Sequence, residues 1–186
     1  MKKLLATLMA TLCLSSSVQA VEITIQDRVS QFIENTYKIS YAYDIVDKVF
    51  SIAEKKNLDP LFILAMMQVE SGFIANAKSP ANSHGIMQVH YPSHRKKVIE
   101  KNDLYDLDTN IELGTEIWKE CVDKSKTIYA AAMCYTGGHH DWLGKVRLAH
   151  NNLNKLHKES YETISANKRS IPTRVSSAKR TIKSQG

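Results

Sequence analysis

The 186-residue sequence carries a formal net charge of +6 and has a pI near 9.1, values common among proteins that bind nucleic acids. The charge is unevenly placed: residues 168–186 contain six basic residues and no acidic one, whereas residues 21–167 contain 17 basic and 19 acidic residues. The body of the chain is therefore slightly acidic, which argues against nucleic acid as a partner.

The N-terminus has the pattern of a secretory signal peptide. Two lysines precede an apolar run from Leu4 to Leu14, and small and polar residues follow up to Ala20. The apolar run is shorter than the roughly 18–20 residues that a membrane-spanning helix requires, so cleavage is favoured over an anchor. We expect residues 1–20 to be a signal peptide and the mature protein to be periplasmic or secreted.

The first half of the mature chain has helical periodicity. Apolar residues recur at helical spacing over 41–56, and the segment 61–70 is apolar on most sides. Asp59 has the chemistry of an N-cap, and Pro60 fits the first position of the second helix. Because a helix that is apolar all round must be buried, the second helix is predicted to lie at the centre of the domain.

The second half is also predicted to be helical, after an irregular segment over 72–92 that is rich in glycine, asparagine, serine and proline. Strand signals are nearly absent, and the length suits one domain. We therefore expect a single all-α domain over residues 21–167. Its remaining helices are predicted over 108–123 with Asp108 as N-cap, over 127–135, and over roughly 141–162.

The basic C-terminal segment has no apolar face. Residues 168–186 are predicted to be a disordered tail because they cannot bury apolar surface. Two interpretations stay open: the tail docks on an acidic partner or an anionic envelope surface, or it is simply solvated.

Two cysteines, Cys121 and Cys134, remain once the signal peptide is removed. An even number of cysteines in an oxidising compartment permits one disulfide, which the expected export favours. The alternative is a pair of buried thiols, because free cysteine behaves as a small apolar residue. The sequence leaves both alternatives open.

Glu70 is a charged residue in an unfavourable position of its helix. It is a carboxylate at the C-terminal end of the most apolar helix, where the helix dipole favours cations. Burial and the negative helix end both disfavour its ionised form, so its pKa is predicted to rise. Such a carboxyl keeps its proton near neutral pH and can act as a general acid. The alternative is an exposed glutamate at a frayed helix end.

Short motifs around and after Glu70 occur in a specific order. They are Glu-Ser-Gly-Phe at 70–73, Gly-Ile-Met-Gln at 85–88, Asn-Ile-Glu-Leu-Gly at 110–114 and Cys-Tyr-Thr-Gly-Gly at 134–138. In this order and spacing they resemble the catalytic domain of the soluble lytic transglycosylases, a goose-lysozyme-like family, over roughly residues 44–150. The resemblance implies a lysozyme-like all-α fold.

The resemblance also implies a role for each matched position. Glu70 would be the catalytic acid/base, and Ser71 would turn its hydroxyl towards the substrate or the glutamate. Met87 and Gln88 would line the sugar-binding groove, with Gln88 hydrogen-bonded to an N-acetyl group. Tyr135 would place its hydroxyl near Glu70 and help to hold it.

Other positions in and near the motifs have less direct roles. Phe73 is expected to pack behind the first motif, and Gly85 to allow a tight backbone turn beside the groove. Cys134 and Thr136 stand where the family has alanine and asparagine. Thr136 is still expected to bind substrate, but with a hydroxyl in place of an amide, which changes affinity or subsite preference.

Several aromatic residues could stack on sugar rings. Tyr91, beside the second motif, is the one we assign to substrate binding. Tyr41, Tyr43 and Trp142 are assigned to the core, because aromatic residues at helical spacing are more often packed than exposed.

Histidines offer a competing interpretation as a metal site. His84, His90 and His94 lie close together in the chain, and two more histidines follow at 139–140. A zinc ion needs its ligands to converge, and Pro92 interrupts the helical spacing between two of them. They are therefore interpreted as polar loop residues beside the groove, and no metal or other cofactor is expected.

The reaction implied by the resemblance is cleavage of peptidoglycan between N-acetylmuramic acid and N-acetylglucosamine, with closure of a 1,6-anhydro ring. A single carboxylate can serve this reaction, whereas most glycosidases need two. The expected partners are peptidoglycan glycan strands and an envelope-spanning secretion or conjugation apparatus, with the enzyme a monomer. Two alternatives stay open: a muramidase-type glycoside hydrolase, and a non-enzymatic wall-binding component of an envelope assembly.

Overall fold

The computed structural model describes residues 23–98 and 100–170. The predicted signal peptide and residues 171–186 of the predicted tail lie outside the described residues. Within the described part of the chain, no helix is both long and apolar enough to cross a membrane. The elements are α1 (Ile25–Tyr37), α2 (Ala42–Lys56), α3 (Pro60–Ser71), β1 (Ser83–His84), β2 (Val89–His90), α4 (Tyr91–His94), α5 (Leu107–Lys124), α6 (Ile128–Thr136) and α7 (Trp142–Ser170), with 3₁₀ turns at Arg95–Lys97 and Lys101–Tyr105.

Helix α3 forms the centre of this all-α domain, as its apolar sequence predicts. Its side chains from Ile63 to Met67 are buried, and the helix packs against α2 and α7. The carboxylate of Asp59 caps the helix by accepting hydrogen bonds from the backbone N–H groups of Leu61 and Phe62. Gly72 ends it in the left-handed conformation, with φ of 61°. The all-α fold class is confirmed.

Two helices differ from the sequence prediction. Helix α1 was not predicted; a reciprocal capping box between Thr24 and Asp27 starts it, and it packs on α2 and α7. Helix α7 continues to Ser170, beyond the predicted end near residue 162, so the beginning of the expected disordered tail is helical. The chain contains no glycine or proline between Gly144 and Pro172, and nothing in that stretch stops the helix.

The N-cap of α5 is Asp106 and not Asp108, so that prediction is wrong. The Asp106 carboxylate accepts the Thr109 N–H at 2.9 Å, and the backbone of Asp106 is extended, as an N-cap requires. Asp108 lies in the first turn of the helix, where it forms an exposed ion pair with Lys48.

The predicted irregular segment contains a small antiparallel hairpin. Strands β1 and β2 pair Ser83 with His90 and His84 with Val89. Between them, residues 85–88 form a tight loop that carries the second sequence motif. This loop faces α5 and the C-terminal end of α3, and its position defines one side of the site described below.

A disulfide joins α5 to α6. Cys121 and Cys134 are bonded, and their Cα atoms lie 5.7 Å apart. Of the two alternatives that the sequence left open, the disulfide is therefore the one that the structure contains. Cys121 is buried and Cys134 is exposed. The bond fixes α6, which carries the last sequence motif, against the helix that supports the hairpin loop.

Replacing both cysteines by serine is expected to lower the free energy of unfolding by about 3 kcal/mol, because the bond closes a loop between residues 13 apart in sequence. Urea denaturation of the oxidised wild type and the double variant measures the difference. Reduced wild type is the control and should match the variant. Equal midpoints for all three samples would show that the bond does not constrain the fold.

Candidate active site

A cleft of about 700 Å³ opens between the end of α3, the hairpin and α6. Glu70 lies in its wall, and among the described residues that line the cleft it is the only one with a carboxylate. The remaining wall combines polar, aromatic and a few apolar side chains, among them Gln88, Tyr135, Thr136 and Trp142. A cleft of this size and composition suits a polar ligand such as a sugar chain.

The environment of Glu70 agrees with the predicted general acid. Its carboxyl is half-buried, so the alternative of an exposed glutamate at a frayed helix end is wrong. Burial raises the pKa of Glu70 to about 7, and a hydrogen bond from Trp142, which favours the charged form, limits the rise. The indole Nε1 of Trp142 donates to Oε1 of Glu70 at 2.8 Å. Glu70 therefore exchanges its proton near neutral pH.

The hairpin loop is held in place by the side chain of Asn110, which is buried on α5. Its Oδ1 accepts the backbone N–H of Met87 at 2.8 Å, and its Nδ2 donates to the carbonyl oxygens of His84 and Leu104 at 2.9 and 2.8 Å. Sequence reasoning used Asn110 only as part of a supporting motif and missed this role. A single amide in the buried face of an amphipathic helix was the available signal.

Two glycines allow this close packing. A Cβ atom on Gly85 would overlap the Asn110 amide and the Leu104 carbonyl oxygen, and the φ of Gly85 is +77°. A Cβ atom on Gly114, one turn after Asn110, would lie 2.6 Å from the Cβ of Met87. The Asn-x-x-x-Gly spacing at 110–114 thus presents an amide and a gap on one helix face, and the loop fills that gap.

Ser71 and Met87, both predicted to face the substrate, are not among the residues that line the cleft. The hydroxyl of Ser71 donates to the carbonyl oxygen of Ile86 at 2.7 Å and therefore fastens the loop to α3. The side chain of Met87 is fully buried against α5, where Thr115 lies 3.7 Å from its sulfur. Both residues support the site from behind.

Tyr135 and Gln88 do line the cleft, and Tyr135 lies near Glu70 as expected, but among the described contacts its hydroxyl is not hydrogen-bonded to that carboxyl. Its hydroxyl donates to the carbonyl oxygen of Met87 at 2.9 Å. Burial and the nearby charge of Glu70 raise the pKa of Tyr135 well above its usual value, so the phenol stays a neutral donor. The side-chain amide of Gln88 donates to the carbonyl oxygen of Gly85 at 2.9 Å and faces the cleft.

The hydroxyl of Thr136 is occupied at the end of α6, although the residue lies in the cleft wall. It donates to the carbonyl oxygen of Ala132 at 2.9 Å and accepts the N–H of His139 at 3.0 Å. The hydroxyl therefore fixes the turn after α6, and the methyl group is the part of this side chain left to contact a ligand.

The aromatic residues do not all lie where the sequence analysis placed them. Tyr43 is exposed, so its assignment to the core is wrong. Tyr91 is absent from the cleft lining; it packs on a small cluster around Val89 and Leu104, with Lys101 Nζ 5.7 Å from the centre of its ring. Its assignment to substrate binding stays a prediction. Trp142 is buried, as expected of a core residue, but it also reaches Glu70, which lies 72 residues away in sequence. That contact depends on how α7 packs on α3.

Four of the histidines considered as metal ligands fall into two groups. His84 is buried, and its two ring nitrogens are hydrogen-bonded to Tyr105 and Asn82, so it has a structural role. His90, His94 and His139 lie in the cleft wall, as the sequence reading of polar groove residues expects. In the parts of the chain that the structure describes, no three histidine, cysteine or acidic side chains are placed to hold a metal ion.

Comparison with known protein families identifies the class of this protein. A family model described as the Transglycosylase SLT domain matches residues 47–158, more than half of the chain. The chain therefore belongs to the SLT transglycosylase family, as the motifs implied. No solved structure gives a significant match to the chain. Proteins of this family are lytic transglycosylases that act on peptidoglycan. Helix α1 lies outside the matched range.

Replacing Gly85 by alanine is expected to destabilise the protein by about 3 kcal/mol, because the added methyl meets Asn110 and Leu104 and the backbone is left-handed. Gly144→Ala is the matched control, since a Cβ atom there meets nothing within 4 Å and alanine favours the helix. Thermal unfolding of both variants measures the effect. A Gly85 variant as stable as the Gly144 variant would contradict the packing described above.

The stability of the protein is expected to fall between pH 4.5 and about 7 because of Glu70. In this range the unfolded carboxyl has lost its proton while the folded one still binds it, so the folded state is disfavoured as the pH rises. The loss is on the order of 3 kcal/mol at 1.36 kcal/mol per pKa unit. Measuring the free energy of unfolding at pH 4 and pH 8 tests this. Glu70→Gln should be more stable than the wild type at pH 8 but not at pH 4. The same difference between the two proteins at both pH values would contradict the raised pKa.

Proposed function

We propose that this protein is a peptidoglycan lytic transglycosylase that cleaves the β-1,4 bond between N-acetylmuramic acid and N-acetylglucosamine, with Glu70 as its only acid/base. One observation carries the proposal. Glu70 is the single carboxylate in the described lining of the cleft, and its pKa of about 7 suits both the loss and the gain of a proton at neutral pH.

The reaction uses Glu70 twice. The protonated carboxyl gives its proton to the glycosidic oxygen, the bond from that oxygen to C1 of the muramic acid breaks, and N-acetylglucosamine leaves with a free hydroxyl. The Glu70 carboxylate then accepts the proton of the C6 hydroxyl of the muramic acid, and the C6 oxygen bonds to C1. The 1,6-anhydro ring closes, Glu70 regains its proton, and no water is consumed.

The rest of the site supports this chemistry by positioning. Gln88 faces the cleft with a side-chain amide that can hydrogen-bond an N-acetyl group. Tyr135 and Ser71 hold the loop that carries Gln88 at a fixed distance from α3. A site held by rigid elements keeps the glycosidic oxygen within reach of the acid, which is a large part of what an enzyme contributes.

We place the mature protein outside the cytoplasmic membrane, in the periplasm or secreted. The signal-peptide pattern of residues 1–20 supports export, and the bonded Cys121 and Cys134 are compatible with an oxidising compartment. A small lytic enzyme of this kind would open local gaps in the wall as a monomer. An envelope-spanning secretion or conjugation apparatus would need such gaps.

Mass spectrometry of the muropeptides released from purified peptidoglycan tests the reaction. The mature wild type is expected to release 1,6-anhydro-muropeptides and Glu70→Gln none, because an amide is too weak an acid to protonate the glycosidic oxygen. Glu54→Gln is the matched control, since Glu54 is an exposed glutamate on α2 away from the cleft, and it should retain full activity.

The other outcomes select the alternatives. Products about 18 Da heavier, one water per cleaved bond, would make the protein a hydrolase of the muramidase type. Binding of peptidoglycan without any release over a range of pH, by wild type and Glu70→Gln alike, would indicate a wall-binding component.

A further inference from the structure

The contact between Trp142 and Glu70 is the one hydrogen bond that the described residues make to the catalytic carboxyl. The other donors near the site are occupied elsewhere. The Tyr135 hydroxyl donates to the Met87 carbonyl oxygen, and the Ser71 hydroxyl donates to the Ile86 carbonyl oxygen. Neither hydroxyl can therefore replace the indole as donor to Glu70 without giving up its support of the loop.

The indole itself is held firmly. Trp142 is 7% exposed, and its ring lies 5.5 Å from that of Tyr135 and 6.0 Å from that of Trp118. Because a buried aromatic cluster leaves a large side chain little freedom, the direction of the Nε1–H bond is fixed relative to α3. The distance of 2.8 Å to Oε1 is that of a strong hydrogen bond to a carboxylate.

We propose that Trp142 is a positioning residue that fixes the rotation of the Glu70 carboxyl group and makes Oε2 the oxygen that carries the transferred proton. The indole N–H is a donor and has no lone pair to accept with, so Oε1 must be the acceptor of this pair. In a neutral carboxyl the carbonyl-type oxygen is the better acceptor, and the proton is therefore placed on Oε2. This inference rests on the proposed function for its catalytic consequence.

The same hydrogen bond adjusts the acidity of Glu70. Burial disfavours the carboxylate, while the N–H of Trp142 stabilises it and lowers the pKa of Glu70. Loss of the N–H should consequently raise this pKa further and keep the carboxyl protonated to higher pH. It should also slow the reaction, because the carboxyl is free to rotate away from the glycosidic oxygen.

Two replacements separate the N–H group from the bulk of the ring. Trp142→Phe removes the donor together with part of the indole. Replacing Trp142 by β-(3-benzothienyl)alanine exchanges the N–H for sulfur and keeps the shape. Trp118 and Trp142 are the only tryptophans of the chain, so incorporation of the analogue in a Trp118→Phe background is confined to position 142.

Trp118→Phe is the matched control. Trp118 lies in the same aromatic cluster and stacks on Phe62, but it makes no hydrogen bond to Glu70 among the described residues. It reports the effect of loosening the cluster. Its melting temperature is expected to fall, while the titration of Glu70 and the pH dependence of turnover shift much less than in the variants at position 142, because the indole N–H is retained.

The experiment follows the carboxyl carbon of Glu70 by NMR as the pH is raised, with Glu70→Gln for assignment, and measures turnover against pH. Both replacements at position 142 are expected to shift the titration upward by about one pH unit. Turnover at the optimum should fall about tenfold, and its high-pH limb should move with the titration.

Either of two results would overturn the inference. One is a titration unchanged by the benzothienyl replacement; the other is a shift of equal size in Trp118→Phe, which would mean that cluster packing and not the N–H is responsible. If the wild type releases no anhydro-muropeptides, the proposed function fails by itself, while the NMR titration still decides whether Trp142 controls Glu70.

Discussion

The buried amide of Asn110 is the interaction on which the site depends. It satisfies the N–H of Met87 and the carbonyl oxygens of His84 and Leu104 with one side chain. Without it, three backbone groups would be buried without partners, each at a cost of about 1–3 kcal/mol. Position 85 accommodates only glycine, because the Asn110 amide fills the space that a Cβ atom would need. One side chain on α5 thereby fixes the position of the hairpin loop relative to that helix.

From that point the loop is tied to two further helices. On α3, the Ser71 hydroxyl donates a hydrogen bond to the Ile86 carbonyl oxygen of the loop. On α6, the Tyr135 hydroxyl donates to the Met87 carbonyl oxygen of the loop. The disulfide joins α6 back to α5. Residues that the family motifs suggested as ligands of the sugar are thus used to hold the backbone of the loop. A cleft with such fixed walls is organised before the substrate arrives, which is the general requirement for precise positioning.

The acidity of Glu70 results from two opposed effects. Burial at the end of an apolar helix raises its pKa, and the indole N–H of Trp142 offsets part of the rise. The result, about 7, leaves both protonation states accessible at neutral pH. In the proposed reaction, a carboxyl buried without a donor would hold its proton too firmly to give it up in the first step, whereas an exposed one would already have lost it at neutral pH.

The sequence by itself determined the features that act within a few residues. It predicted the apolar helix α3 with its Asp59 cap, the order of most other helices, and Glu70 as a carboxyl with a raised pKa, because caps and helical periodicity operate over one turn. Tertiary structure decided the rest. Trp142 reaches Glu70 only through the packing of α7 on α3, and Met87 is buried because its partner Thr115 lies on α5, 28 residues away in sequence. A hydrogen-bonding side chain shows its chemistry in the sequence, but its partner is fixed by which helices pack together.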